Sequence, residues 1–203
     1  MLVNCIISHD QHRLSGLLHQ LDQENSLTLH NIIDENGFTL LCRSCSENSL
    51  KSTELLYEFV QLRITRHLRQ QEHMRLNVAP SGSLTQESLR SIDLEVSQQM
   101  KEWVNKPCLN GDQFYPIHYA SFHGNPKLIK FLIRAGANPF VKTLKAVNCL
   151  HIAAQGDSAY SLCYFRSRGI SINSVDAAGS TPLHWACFSA SDTATYYLQS
   201  WDC

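Results

Sequence analysis

Apolar residues recur at helical spacing in one block of the chain after another. Leu128, Ile129, Leu132 and Ile133 form a stripe that would bury one face of a helix. Leu162 and Phe165, then Leu198, carry that stripe into later segments. Leu89, Ile92, Val96, Met100 and Trp103 are spaced by 3, 4, 4 and 3, which predicts an amphipathic helix over 89–103. Near the start, Ile6, Leu14, Leu17, Leu18 and Leu21 suit a helical hairpin broken near Ser8-His9-Asp10. Between the stripes lie polar strings rich in turn formers: Asp34-Glu35-Asn36-Gly37, Asn77 to Ser83, and Asp176-Ala177-Ala178-Gly179. The pattern predicts an all-α chain of short helices joined by tight turns.

The blocks also repeat. Thr181-Pro182-Leu183-His184-Trp185-Ala186 has an echo 33 positions earlier in Asn148-Cys149-Leu150-His151-Ile152-Ala153. A further 33 positions back stands Tyr115-Pro116-Ile117-His118-Tyr119-Ala120, and a fainter copy is Thr39-Leu40-Leu41-Cys42-Arg43-Ser44. Each column has a mechanical reading. Pro116 and Pro182 suit a first helical position, where the missing N–H costs nothing, and the Thr181 hydroxyl can cap that helix. His118, His151 and His184 recur as expected if each imidazole bonds backbone in a neighbouring turn. Cys45, Ser121, Ala154 and Cys187 are compact, as close helix packing requires, and Gly136 and Gly169 close the second helices in a left-handed conformation.

Cys42 and His118 are 76 residues apart, which no multiple of 33 explains. The register therefore implies a partial N-terminal unit at 1–33, a first full unit at 34–62 and a helical insertion at 63–104. Units at 105–140 and 141–173 and an incomplete one at 174–203 follow. Within the insertion, 63–76 would extend the preceding helix, and a flexible loop near 77–85 would join it to the 89–103 helix. Trp103 would pin the insertion to the stack.

Composition narrows the chemistry. A formal charge of −1 gives no electrostatic case for nucleic acid or an anionic membrane. Eight cysteines at irregular spacing, with no secretory signal pattern, suggest a reducing compartment and a cytoplasmic location. No apolar run approaches the about 20 residues that cross a bilayer. Cys42-Arg43-Ser44-Cys45 could be half a metal or redox site, but the second pair is missing, and the register explains both cysteines structurally. Three histidines that serve the motif column are unavailable as bases, so no enzyme activity, cofactor, metal or small-molecule substrate is expected. Arg63, Arg66, His67, Arg69 and Arg75 spread over several helix faces and read as solvated surface.

The 33-residue period and the Thr-Pro-Leu-His-x-Ala string resemble ankyrin repeats, well over 105–203 and weakly over 1–62. That resemblance implies a solenoid of paired antiparallel helices with short β-hairpin-like turns. Cys149 to Asp157 and Gly179 to Cys187 are similar to the ankyrin region of membrane S-acyltransferases of the Asp-His-His-Cys class, and to ciliate ankyrin proteins. The chain has no Asp-His-His-Cys string of its own.

Resemblance implies a non-catalytic scaffold that binds a protein partner on the concave face, formed by the first helices and turn tips. The alternative is the N-terminal recruitment region of a membrane S-acyltransferase. Candidate contacts are Tyr119, Phe122, His123, Ile152, Gln155, Trp185 and Phe188 on the first helices. Asp112, Gln113, Phe114, Asp176 and Ala178 are candidates on the rim. Tyr119 and Trp185 share a column and lead the set, whereas Phe122 and Phe188 could equally fill gaps between helices. The aromatic end at Tyr196, Tyr197 and Trp201 lacks the polar cap a solenoid needs. It suggests a chain shortened from a longer one, or an end that docks on something.

Overall fold

A computed structural model of the protein describes residues 1–23, 32–77, 79 and 82–201. The parts of the expected 1–33 unit, the 77–85 loop and the last unit that fall on 24–31, 78, 80, 81, 202 and 203 lie outside the described residues.

Short helices come in pairs, each pair turning back on itself. They are α1 (Leu2–Ile7) with α2 (Gln11–Gln23), and α3 (Leu40–Ser46) with α4 (Leu50–Arg75). Past α5 (Gln86–Val104) follow α6 (Pro116–His123) with α7 (Pro126–Arg134), α8 (Cys149–Gln155) with α9 (Ala159–Ser167), and α10 (Pro182–Phe188) with α11 (Asp192–Ser200). First helices stack in a row, α1 on α3, α3 on α6, α6 on α8 and α8 on α10. One hydrophobic core runs through the row from Leu2 to Leu198.

The local sequence sets each start and stop. Asn125 Oδ1 accepts from the Lys127 and Leu128 N–H groups at 3.1 and 3.3 Å, capping α7. Thr39, Ser49, Thr85 and Ser158 cap α3, α4, α5 and α9 with their hydroxyls. Thr181 differs from the expected cap, because its Oγ1 lies 2.8 Å from His184 Nδ1. Gly136 and Gly169 follow the second helices at φ +94° and +91°. Between paired helices the chain turns on another left-handed residue, Asn48, Gly124, Asp157 and Ala190 in successive pairs, a column the motif letters do not reveal.

Helix α4 continues unbroken for 26 residues, and α5 packs along it. The stripe Ile92, Val96, Met100 and Trp103 is buried there, and Trp103 meets Tyr57 of α4 at 6.5 Å between ring centres. Asn105 ties the end of α5 to the 136–138 turn, donating to Gly136 O at 2.9 Å and accepting from Asn138 N at 2.7 Å. The α4–α5 arm thus leaves the row of first helices intact, with α3 directly against α6. Three of the four arginines at 63–75 form ion pairs within the chain. Arg63 and Arg66 pair with Asp22 of α2, and Arg75 pairs with Glu72. No described helix is long and apolar enough to cross a membrane.

Candidate functional site

Each unit's first helix is preceded by a turn finger, and the fingers are joined by main-chain bonds. Leu109 N–H donates to Gly37 O at 2.7 Å, Leu144 N–H to Asp112 O at 3.1 Å and Ala177 N–H to Lys145 O at 2.8 Å. The motif histidines make the second link. Tyr115 N–H donates to His118 Nδ1 at 3.2 Å, which leaves the ring proton on Nε2 to reach Val141 O at 3.3 Å. His151 repeats this, with Nδ1 held by Asn148 N–H and Nε2 3.0 Å from Ser180 O. Both rings lie in the interior, and burial depresses their pKa, for His118 to about 4. Cys42 stands in the same column. Its Sγ reaches Lys106 O and Phe114 O at 4.0 and 3.9 Å, a weak version of the same bridge. Burial pushes the Cys42 thiol up, and that of Cys45 up to about 12.

The column expected to lead partner binding also braces the fingers. Residues 43, 119, 152 and 185 each stand nine positions after a finger residue, and three of the four bond it. Arg43 pairs with Asp34 at 2.5 Å. The Tyr119 hydroxyl accepts from Asn110 Nδ2 at 3.3 Å, and its ring packs on Phe38 and Phe114 at 5.4 and 5.9 Å. Burial raises the Tyr119 phenol. Trp185 Nε1–H donates to Asp176 Oδ2 at 2.9 Å. Ile152 corrects the expectation outright: it is 4% exposed, because α6 covers α8 on one side and α10 on the other. Phe114 is half-buried against His118 and Tyr119, and Asp112 is paired with Lys145 at 2.7 Å. His123 is exposed, but its Nε2 lies 2.7 Å from Ser46 O of α3.

The free surface lies three residues further along each first helix. Phe122 is 41% exposed, Gln155 is exposed and Phe188 is 93% exposed. Neither phenylalanine fills a gap between helices. Gln155, Asp176, Ser180, His184, Trp185 and Phe188 line a groove of about 520 Å3. Four of these residues are sequence candidates. Ser180 and His184 are not, because nothing in the motif says that the last histidine faces an open side.

Asp176 braces the groove floor. Burial alone would raise its pKa, but the Trp185 indole N–H and the Ser180 and Ala178 amides overcome that and hold it low. The carboxylate is therefore ionised at neutral pH with both oxygens engaged. Tyr119, Phe122 and His123 belong to α6, outside this groove. Among the described residues, no three His, Cys, Asp or Glu side chains gather as a metal site.

Comparison with known proteins agrees with this geometry. Residues 104–202 match the family model for ankyrin repeats in three copies. Over 85 residues, 41% of this chain, the sequence is 39% identical to Alpha-latrotoxin-Lg1a of Latrodectus geometricus and covers 6% of that protein. Over 85 residues, again 41% of the chain, it is 31% identical to palmitoyltransferase AKR1 of Saccharomyces cerevisiae and covers 11% of it. The chain matches only a small part of each relative.

Proposed function

We propose that this chain, whose residues 104–202 are an ankyrin-repeat array, is a non-catalytic scaffold holding a protein partner on its concave face, in the groove between Gln155, Asp176, Trp185 and Phe188. Ankyrin repeats carry protein interactions, and the apolar lining of the groove supports putting the contact there. The observation that carries the reading is Phe188, a benzyl side chain left 93% exposed beside a braced tryptophan. Covering such a ring is worth about 1.5–3 kcal/mol, enough for one binding hot spot. The backing is rigid, since Trp185 and Asp176 hold each other, so little order is lost when a partner arrives.

A photo-crosslinking residue at position 188, introduced into the full chain in its source cell, tests this. It should give a discrete protein adduct that the same probe at Leu94, exposed on α5, does not give. Equal labelling from both positions would sink the proposal.

A second reading draws on the identity with a palmitoyltransferase: the chain would be the recruitment region of a membrane S-acyltransferase, holding the protein to be acylated. Membrane helices and an Asp-His-His-Cys box in the reading frame downstream of Cys203 would favour it, and a stop codon would favour the free scaffold.

A further inference from the structure

The α3–α6 junction differs from the α6–α8 junction in the residues that meet across it. At the α6–α8 junction the motif histidine His118 reaches the main chain of Val141 in the next finger, Nε2 to O at 3.3 Å. One repeat earlier the motif column holds Cys42, and the place of Val141 is taken by Cys108 (141 − 33 = 108). A thiol falls short of the imidazole bridge, so Cys42 Sγ stays 4.0 and 3.9 Å from Lys106 O and Phe114 O. Those carbonyls bracket Cys108, whose own N–H donates to Phe114 O at 2.7 Å. The two thiols meet there as side-chain partners, and neither residue is exposed.

Cys108 is the more reactive of the two. The Cys42 thiol, the Tyr119 hydroxyl and the Thr39 main chain bond its sulfur, and they hold its pKa below the ordinary thiol range against the effect of burial. Asn110 Nδ2 steadies that hydroxyl at 3.3 Å. Burial pushes the Cys42 thiol the other way, so it keeps its proton. Cys45, one turn further along α3, is the partner that Cys-x-x-Cys spacing suggests, but its sulfur is bonded by the Thr53 and Ser44 hydroxyls.

We infer that Cys42 and Cys108 form a redox modification site, a dithiol that a small peroxide converts to a disulfide across the α3–α6 junction. The Cys108 thiolate attacks hydrogen peroxide: an S–O bond forms, the O–O bond breaks, and the hydroxide released takes up the proton that Cys108 gave up. The Cys42 sulfur then attacks the Cys108 sulfur. The S–S bond forms, the S–O bond breaks, and the second hydroxide leaves as water with the Cys42 proton. Peroxide gains the two electrons that the thiols lose. Full burial keeps bulky disulfide oxidants away from both sulfurs. The product supplies covalently the link that a histidine makes at the next junction. It also closes the chain around residues 43–107, which include the arm of α4 and α5. The site is independent of the concave-face reading.

The test uses the full chain with the exposed Cys163 and Cys187, and also Cys203, changed to serine. About one equivalent of hydrogen peroxide should lower the intact mass by about 2 Da, and digestion without reductant should yield a peptide joining Cys42 to Cys108. A dithiol reductant should reverse both changes. Closing a loop of this length should raise the melting temperature by about 5 °C or more. Cys45→Ala should keep the linkage. Cys42→His, which supplies the residue the motif uses at this place, should keep the helical circular dichroism and form no linkage.

A Cys42–Cys45 linkage would overturn the inference. So would a gain of about 16 Da at Cys108 that never resolves into a disulfide, or thiols left untouched until the methionines oxidise. A linkage without a rise in melting temperature would show that the sulfurs meet only in a distorted chain, and would overturn it as well.

Discussion

Protonation of His118 is the perturbation that best separates a histidine serving the fold from one serving chemistry. Its ring is fully buried, accepts the Tyr115 N–H at Nδ1 and reaches Val141 O from Nε2, an arrangement that needs the neutral tautomer. Burial holds its pKa at about 4, against an ordinary value near 6.5. The unfolded chain therefore takes up the proton first as pH falls. Stability from this group is whole above about pH 6.5, declines as pH drops and is fully lost once pH passes below about 4. Linkage puts the loss at about 2 kcal/mol by pH 5 and about 3 kcal/mol by pH 4.

His151 adds to the effect in the same direction, again through burial. The carboxylates act in a lower window. Asp22, held down by its hydrogen bond from Arg66, and Asp176 contribute stability above about pH 4 that disappears only below it. Urea midpoints followed by circular dichroism between about pH 7.5 and pH 5 measure the effect. The wild-type chain should lose about 2 kcal/mol or more over that span, and His118→Gln should lose less by roughly His118's share. A flat wild-type profile, or an undiminished slope in His118→Gln, would refute the structural role assigned to this column.

Three further outcomes follow from named contacts. Gly156→Ala would place a Cβ 2.1 Å from Phe122 O, a backbone atom that cannot swing away, so α6 and α8 must part at a cost of about 2–3 kcal/mol by urea denaturation. A cost below about 0.5 kcal/mol would show the approach to be looser than described. Ile152→Ala should cost about 2–4 kcal/mol, as for a core residue, while Phe188→Ala stays within about 0.5 kcal/mol and instead lowers the adduct yield from the same crosslinking residue placed at Gln155. Equal costs for the two would reverse their assignment. Trp185→Phe, which keeps the ring but removes the donor to Asp176, should cost about 1 kcal/mol and raise the acid midpoint of unfolding. An unchanged acid limb would mean that the indole does not hold the carboxylate.

The sequence by itself determined the helical elements and their repetition, because both are written in local constraints. Apolar spacing marks one face of a helix, proline at its first turn and a capping side chain mark its start, and Gly136 and Gly169 mark its end. Each of these acts within a few residues, so it survives as a readable letter. The role of the motif histidines was legible for the same reason, since a recurring buried ring must find a backbone partner one unit away.

The candidate site was legible only in its general location, on the first helices. The column of Tyr119, Ile152 and Trp185 looks like a row of exposed anchors, yet stacking buries Ile152 and half-buries the other two, which bond their own fingers. Exposure belongs to the next column, Phe122, Gln155 and Phe188, a rotation of one helical turn that spacing alone cannot fix. Only the tertiary structure distinguished His184 from His118 and His151, although their local sequences are alike. Whether a given ring is buried, like His118 and His151, or exposed, like His184, depends on what packs against that unit, and packing is decided between repeats rather than within them.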